Sequence, residues 1–255
     1  MTEGLTDRPG GPGQRPVSKV SLKSLLNLCE KEGEPMNKSV YSLVLSDEVV
    51  AAVDRAAYRA GMSRSAFINS VLAEAVSYTT PEKRMSDIFS EIEQLMSGDI
   101  FRIMPRPSDS ALAIRSALQY KYKPVIRYGI ELYRSFDTSI GKLKVSLRTQ
   151  SDSLIAEFER FTGIWVRLEQ EHIISHFPDG ITYETGDGKF TRTFCLPPDK
   201  HKLTDDGIAE ALSEYIKMFD DIIKLYFANC SDHAKAQALV RKRYEEYYAG
   251  NMPII

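Results

Sequence analysis

The chain has 255 residues, 43% hydrophobic and 27% charged, with a formal net charge of -2 at pH 7. That composition supports a real core in one large or two modest domains, and it argues against bulk electrostatic binding of nucleic acid while leaving room for a local basic surface. It holds no run of eighteen apolar residues and no signal-peptide pattern, so the expectation is a cytoplasmic protein with no membrane partner. Cys29, Cys195 and Cys230 are odd in number, far apart and in no CxxC pair, which points to reduced thiols.

Residues 1 to 37 read as a mostly disordered basic arm. The first seventeen are rich in Gly and Pro and nearly devoid of apolar side chains, so packing cannot offset their chain entropy. Residues 18 to 31 place Leu22, Leu25, Leu26 and Cys29 on one stripe, a short amphipathic helix, before EGEPMN breaks it. Arg8, Arg15, Lys19 and Lys23 make the arm basic; it either follows a polyanion or is inert.

Residues 38 to 78 carry the strongest local pattern. Lys38 to Leu45 alternates, with Tyr41, Leu43 and Leu45 on one face and Val40, Ser42 and Val44 on the other, the period of a half-buried strand. Ser46 is placed to cap a helix from Asp47 to about Ala60, and Gly61 sits where a left-handed cap would end it. Ser63 is a second N-cap, followed by Phe67, Ile68, Val71 and Leu72 at helical spacing through about Tyr78. A lone short strand leaves its edge unpaired, so two copies pairing antiparallel about a twofold axis is the economical solution. The outer face of such a ribbon has a shape the DNA major groove admits.

On YSLVLSDEVVAAVDRAAYRAGMSRSAFINSVL, with strand, helix start, A-G turn and second-helix opening in register, the chain resembles the ribbon-helix-helix family of bacterial DNA-binding proteins, the CopG/Arc type. The resemblance covers about a sixth of the chain. It implies double-stranded DNA as partner and a homodimer through the strand. It maps base reading to Val40, Ser42 and Val44, with Lys38 beside them, and phosphate contact to Ser63, Arg64 and Ser65 at a helix N-terminus. Two reading positions are valine where the family more often has polar or basic residues. Valine offers a thymine methyl only apolar contact, so readout would lean on Ser42 and Lys38.

Past the TTPEK junction, residues 79 to 99 read as a linker helix, with Ile88, Ile92 and Leu95 striped beside Met85, Phe89 and Met96. FRIM, between Gly98 and Pro105, is a loop or short strand, and Ser108 is placed to cap a helix to about Tyr120. Residues 123 to 134 and 142 to 149 alternate as two strands of a hairpin, one face apolar and the other carrying Arg127, Lys142, Lys144 and Arg148. That face reads as a solvated sheet surface or, alternatively, a second nucleic-acid surface. Asp152 opens a long helix with Leu154, Phe158, Phe161, Trp165, Leu168 and His172 on one stripe. ITYETGDGKFTRTFCL is a second hairpin turning at GDG. A helix striped by Ile208, Leu212, Tyr215, Phe219, Ile222 and Tyr226 follows, then a polar helix from Asp232 to Ala249. Residues 100 to 250 are thus expected to form an α+β domain with antiparallel hairpins, for oligomerisation, signal input or an effector or protein partner, ahead of a tail at 251 to 255.

Chemistry has little sequence support. His172 and His176 are four apart, and Cys195 and His201 could complete a metal set; against that, His172 sits on an apolar stripe and His176 at a helix end. Cys230 and His233 are a weaker pair. GxSxG, P-loop, GxGxxG, HExxH and paired-carboxylate patterns are missing, and Asp205, Asp206, Asp220 and Asp221 read as solvated helix residues. The expectation is a non-enzymatic, cofactor-free, nucleoid-associated DNA-binding protein, a transcriptional regulator. Alternatives are a plasmid or mobile-element accessory protein in copy control, partition or the relaxosome, and, further off, an antitoxin or a metal-responsive regulator.

Overall fold

The computed structural model describes residues 40, 42–120, 123–198, 203–250 and 252–255. The basic arm, the helix at 18 to 31, Lys38, Tyr41 and His201 lie outside the described residues. Over the rest the fold is α+β, with six helices and one six-stranded antiparallel sheet.

Two short helices come first, α1 (Asp47–Arg59) and α2 (Arg64–Ala75). Their join is a Schellman turn: Gly61 takes φ 64°, and the Met62 N–H reaches back to the Ala57 carbonyl at 2.9 Å. α2 ends the same way with Ser77 in the glycine position, at φ 54°, and the Tyr78 N–H on the Ala73 carbonyl at 2.8 Å. Thr80 then caps α3 (Pro81–Leu95) by accepting from the Lys83 N–H. Proline suits the first helical position, where its missing N–H has no intrahelical partner to lose. Met85, Ile88, Phe89 and Ile92 of α3 are buried in the main core, so this helix is a layer of the domain and does not stand apart as a linker.

The sheet runs in the order β1-β2-β3-β4-β6-β5, built from β1 (Phe101–Ile103), β2 (Ala111–Ala117), β3 (Val125–Leu132), β4 (Ser139–Arg148), β5 (Tyr183–Gly186) and β6 (Lys189–Cys195). Both expected hairpins are present. The second turns through Asp187 at φ 51° and Gly188 at φ 67°, two successive positive values, as in a type I′ turn. The helix expected after Ser108 is instead β2. Its Ala-Leu-Ala-Ile run suits a helix locally, but Leu112, Ile114 and Ser116 alternate into the core and the strand pairs with β3 along its whole length. Long-range pairing overrides local propensity here.

α4 (Asp152–His172), α5 (Asp205–Asn229) and α6 (His233–Ala249) complete the domain. Ile126, Tyr128, Ile130, Leu143, Val145, Phe190 and Phe194 point from the sheet into a core filled by Phe158, Phe161 and Trp165 of α4 and Tyr215, Phe219 and Ile222 of α5. Phe219 is its centre, within 6.2 Å centroid to centroid of Tyr128, Phe161, Trp165 and Phe190. Two ionic groups lie inside. Arg192 and Glu169, both fully buried, pair at 3.0 Å, and Glu169 also accepts from the Tyr215 hydroxyl at 2.8 Å. Asp220, expected on a solvated face, is buried, accepting from the Tyr128 hydroxyl at 2.9 Å and from Lys224 at 2.5 Å. Its burial explains why a carboxylate follows Phe219 on the apolar stripe: both its oxygens are satisfied. The opposite face of the sheet carries the alternate residues of each strand.

Candidate nucleic-acid interface

The segment expected to read DNA is the part of the described chain that hides least. Between residues 42 and 78 only Ala57 and Ala73 are buried hydrophobics. Leu43, Leu45, Val49, Met62, Val71, Leu72, Val76 and Tyr78 are exposed, as are Val40 and Tyr58, whereas from residue 81 onward the large exposed apolar side chains are Leu95, Ile100 and Tyr248. Helix α2 gathers Phe67, Ile68, Val71 and Leu72 on one face, the pattern of a helix packed on one side, yet Val71 and Leu72 are exposed. A patch this apolar on a single subunit marks an interaction surface.

Residues 42–46 form neither helix nor strand within the single chain. Val40, Ser42 and Val44 are all exposed, Val40 and Val44 almost entirely, while Leu43 and Leu45 are each about half covered. Ser46 stands in extended conformation at the start of α1, but its side chain makes no capping bond to the backbone. The Glu48 carboxyl, held below the usual carboxylate range by its own backbone N–H and then by the Ser46 hydroxyl, adds negative charge where the helix dipole is positive.

The expected phosphate contacts converge at the start of α2. Ser63 accepts from the Ala66 N–H at 3.3 Å and lies 3.3 Å from the Ser65 hydroxyl. The first two N–H groups of the helix, on Arg64 and Ser65, have no intrahelical acceptor, which is the usual anion-receptive geometry. Arg64 folds back onto Asp54 of α1, its Nε and Nη2 each donating to one carboxylate oxygen. The hydrogen bond and the Asp54 charge raise the Arg64 pKa further, so it stays cationic at any working pH. Between residues 42 and 78 there are three arginines (Arg55, Arg59, Arg64) against four carboxylates (Asp47, Glu48, Asp54, Glu74). The segment expected to read DNA therefore carries no excess of positive charge.

The candidate metal residues are dispersed. His172 packs its ring against Tyr244 and Tyr248, at 5.5 and 5.1 Å between centroids, and its buried Nε2 has no hydrogen-bond partner among the described residues. His176 sits in a short 3-10 turn, His233 bonds Glu157 at 2.9 Å, and Cys195 and Cys230 are buried free thiols. Among the described residues no three His, Cys, Asp or Glu side chains gather closely enough to hold a metal ion, and no helix is long and apolar enough to cross a membrane. Sequence reasoning gave no sign that Asp54 would engage Arg64; ten residues apart, the two meet only through the turn between the helices. No protein-family model, curated protein or solved structure matches this chain.

Proposed function

We propose that the protein is a homodimeric bacterial DNA-binding protein of the ribbon-helix-helix type, a transcriptional regulator that inserts two paired strands into the DNA major groove. The observation that carries this reading is the mass of uncovered apolar side chain between residues 40 and 78, set on a strand-length segment and two capped helices. A second copy covers them at least cost. Its own segment from residue 38 to 45 pairs antiparallel with the first, satisfying both backbone edges, while Leu43, Leu45 and the apolar face of α2 form the seam between subunits.

In that arrangement Val40, Ser42 and Val44 face the base edges, with Lys38 at the end of the ribbon. Ser42 supplies the hydroxyl that donates or accepts, and the valines favour thymine methyls. The free N–H groups of Arg64 and Ser65 hold a backbone phosphate and fix the register of the protein on the duplex. The domain from residue 81 onward serves oligomerisation or signal input.

Selection of bound duplexes from a randomised pool tests this. The expected outcome is an enriched, twofold-symmetric site. Ser42→Ala should then relax preference at one base pair per half-site, a contact worth roughly 1–3 kcal/mol. Arg64→Pro, which removes one of those N–H groups at the first helical position, where proline is tolerated, should weaken binding to all sequences alike. A pool that emerges without an enriched sequence overturns the reading.

A further inference from the structure

The face of the sheet turned away from the helices is strongly basic, and its register assembles the charge. Arg102 of β1 lies opposite Arg115 of β2, and Arg115 opposite Arg127 of β3. The same row continues through Ser146 of β4 to Lys189 of β6. Neighbouring positions on this face add Lys142, Lys144 and Arg148, against Glu131 and Glu184: seven cations to two carboxylates. Among the described residues Lys144 and Glu131, at 2.6 Å, make its one ion pair.

Like charges directly opposite one another across strands are destabilising. Three arginines in adjacent strands therefore cost the fold stability, and no carboxylate among the described residues offsets them. Arg115 goes further, because its Nε is buried and has no hydrogen-bond partner among the described residues. Between the arginines the floor is low, made of Ala117, Gly129 and Ser146, so a broad ligand can approach the guanidinium groups. A row of five strands spans about 19 Å at the usual strand spacing. Over that length duplex DNA carries roughly eleven phosphates on its two strands. Arginine forks suit phosphate oxygens.

We infer that this open sheet face is a second, sequence-independent DNA-binding surface, holding duplex phosphates on Arg102, Arg115 and Arg127. No strand residue on the face is aromatic, and Tyr133, just past β3, has the Lys142 ammonium 6.0 Å from its ring centre. Splayed single-stranded bases would find no platform there, which favours the duplex backbone as the occupant. The face also supplies positive charge that residues 42 to 78 lack. It stands on observations separate from the ribbon.

The test is anisotropy titration of the full chain against a fluorescent duplex of arbitrary sequence over a salt series, for wild type, R102Q/R127Q and R102K/R127K. Loss of two phosphate contacts should lower the salt slope by about 1.8 and weaken binding about 30-fold at physiological salt, while the lysine pair retains most of the slope. The glutamine variant should melt no lower than wild type, since like-charge repulsion is relieved, so lost binding is not lost folding. An unchanged slope in R102Q/R127Q overturns the inference, and leaves the ribbon standing if the selected site is still bound. Loss of polyglutamate binding with duplex binding intact also overturns it, in favour of an acidic protein partner. If Leu43→Asp abolishes the selected site but arbitrary duplex still binds through these arginines, the sheet face holds on its own.

Discussion

Leu43 offers the sharpest measurement of whether residues 38 to 45 pair between subunits. In the single chain its side chain is 58% exposed. Full burial of a leucine is worth roughly 1.5–3 kcal/mol, so covering that share contributes about 0.9–1.7 kcal/mol per subunit. Twofold symmetry doubles it to about 1.7–3.5 kcal/mol per dimer. Leu43→Asp forfeits this and drives two carboxylates into an apolar seam, so the dimer dissociation constant should rise at least about 20-fold and up to several hundredfold. Sedimentation equilibrium across a concentration series reads that constant directly. Val44→Asp is the matched control: Val44 is fully exposed and belongs to the opposite face, so the same charge one residue along should leave the dimer intact and abolish DNA binding. Should Leu43→Asp dimerise within threefold of wild type, or should Val44→Asp dissociate instead, the assignment of faces is wrong.

Other substitutions probe the domain that carries the sheet. A Cβ on Gly141 would enter the carbonyl of Glu131, at the register shift between β4 and β6, so Gly141→Ala should cost about 1–3 kcal/mol in urea unfolding; a neutral result would mean the strand moves aside freely. Glu169→Leu strands the buried Arg192 guanidinium and should cost about 3–5 kcal/mol, most of it recovered in Glu169→Leu/Arg192→Met. A double variant no more stable than the single one contradicts that account. Burial disfavours the charged form of Glu157, but hydrogen bonds from Tyr226 and His233 prevail and hold its carboxyl below the ordinary carboxylate range. Its contribution is thus complete above the usual carboxylate titration and is lost as pH falls through the lowered value. Glu157→Gln should flatten the acid limb of stability in that window; an unchanged limb in thermal melts at stepped pH refutes it.

Much of this architecture was legible from spacing. Gly61 between two apolar stripes marked the turn that its positive φ now accounts for, and Ser63 marked a cap that its bond to the Ala66 N–H makes. The alternation of Ile126, Tyr128 and Ile130 gave the strand and its buried face, and the stripe from Ile208 to Tyr226 gave the central helix. What stayed hidden depended on register. Ala111 to Ala117 has a helix former's composition, and only its ladder with β3 makes it a strand. Arg115 belongs to that misread region and Arg102 to a segment read as a loop or short strand, so the arginine row could not be assembled from the hairpin alone. The reach of Asp54 to Arg64 and the enclosure of Asp220 likewise depend on how elements meet.

The chain divides its burial unevenly, and the unevenness bears on how it works. From Pro81 onward the helices and sheet enclose their own apolar residues, down to a satisfied ion pair at the centre. Helices of 13 and 12 residues, as α1 and α2 are, are marginal in water by themselves. Among the described residues, the turn at Gly61, the exposed Arg64–Asp54 pair and the buried Ala57 and Ala73 hold them together, which leaves much for a covering surface to add. Whatever covers Leu43, Leu72 and Val76 therefore adds stability that grows with the logarithm of its own concentration, and a ligand that binds only the covered form adds more by mass action. Under the dimer reading, reading face and seam are two sides of one ribbon, so DNA affinity and subunit affinity are linked through the same few residues. Positive charge on the sheet would lie outside that linkage, adding attraction to the duplex without asking the ribbon for basic residues that its Val40 and Val44 do not supply.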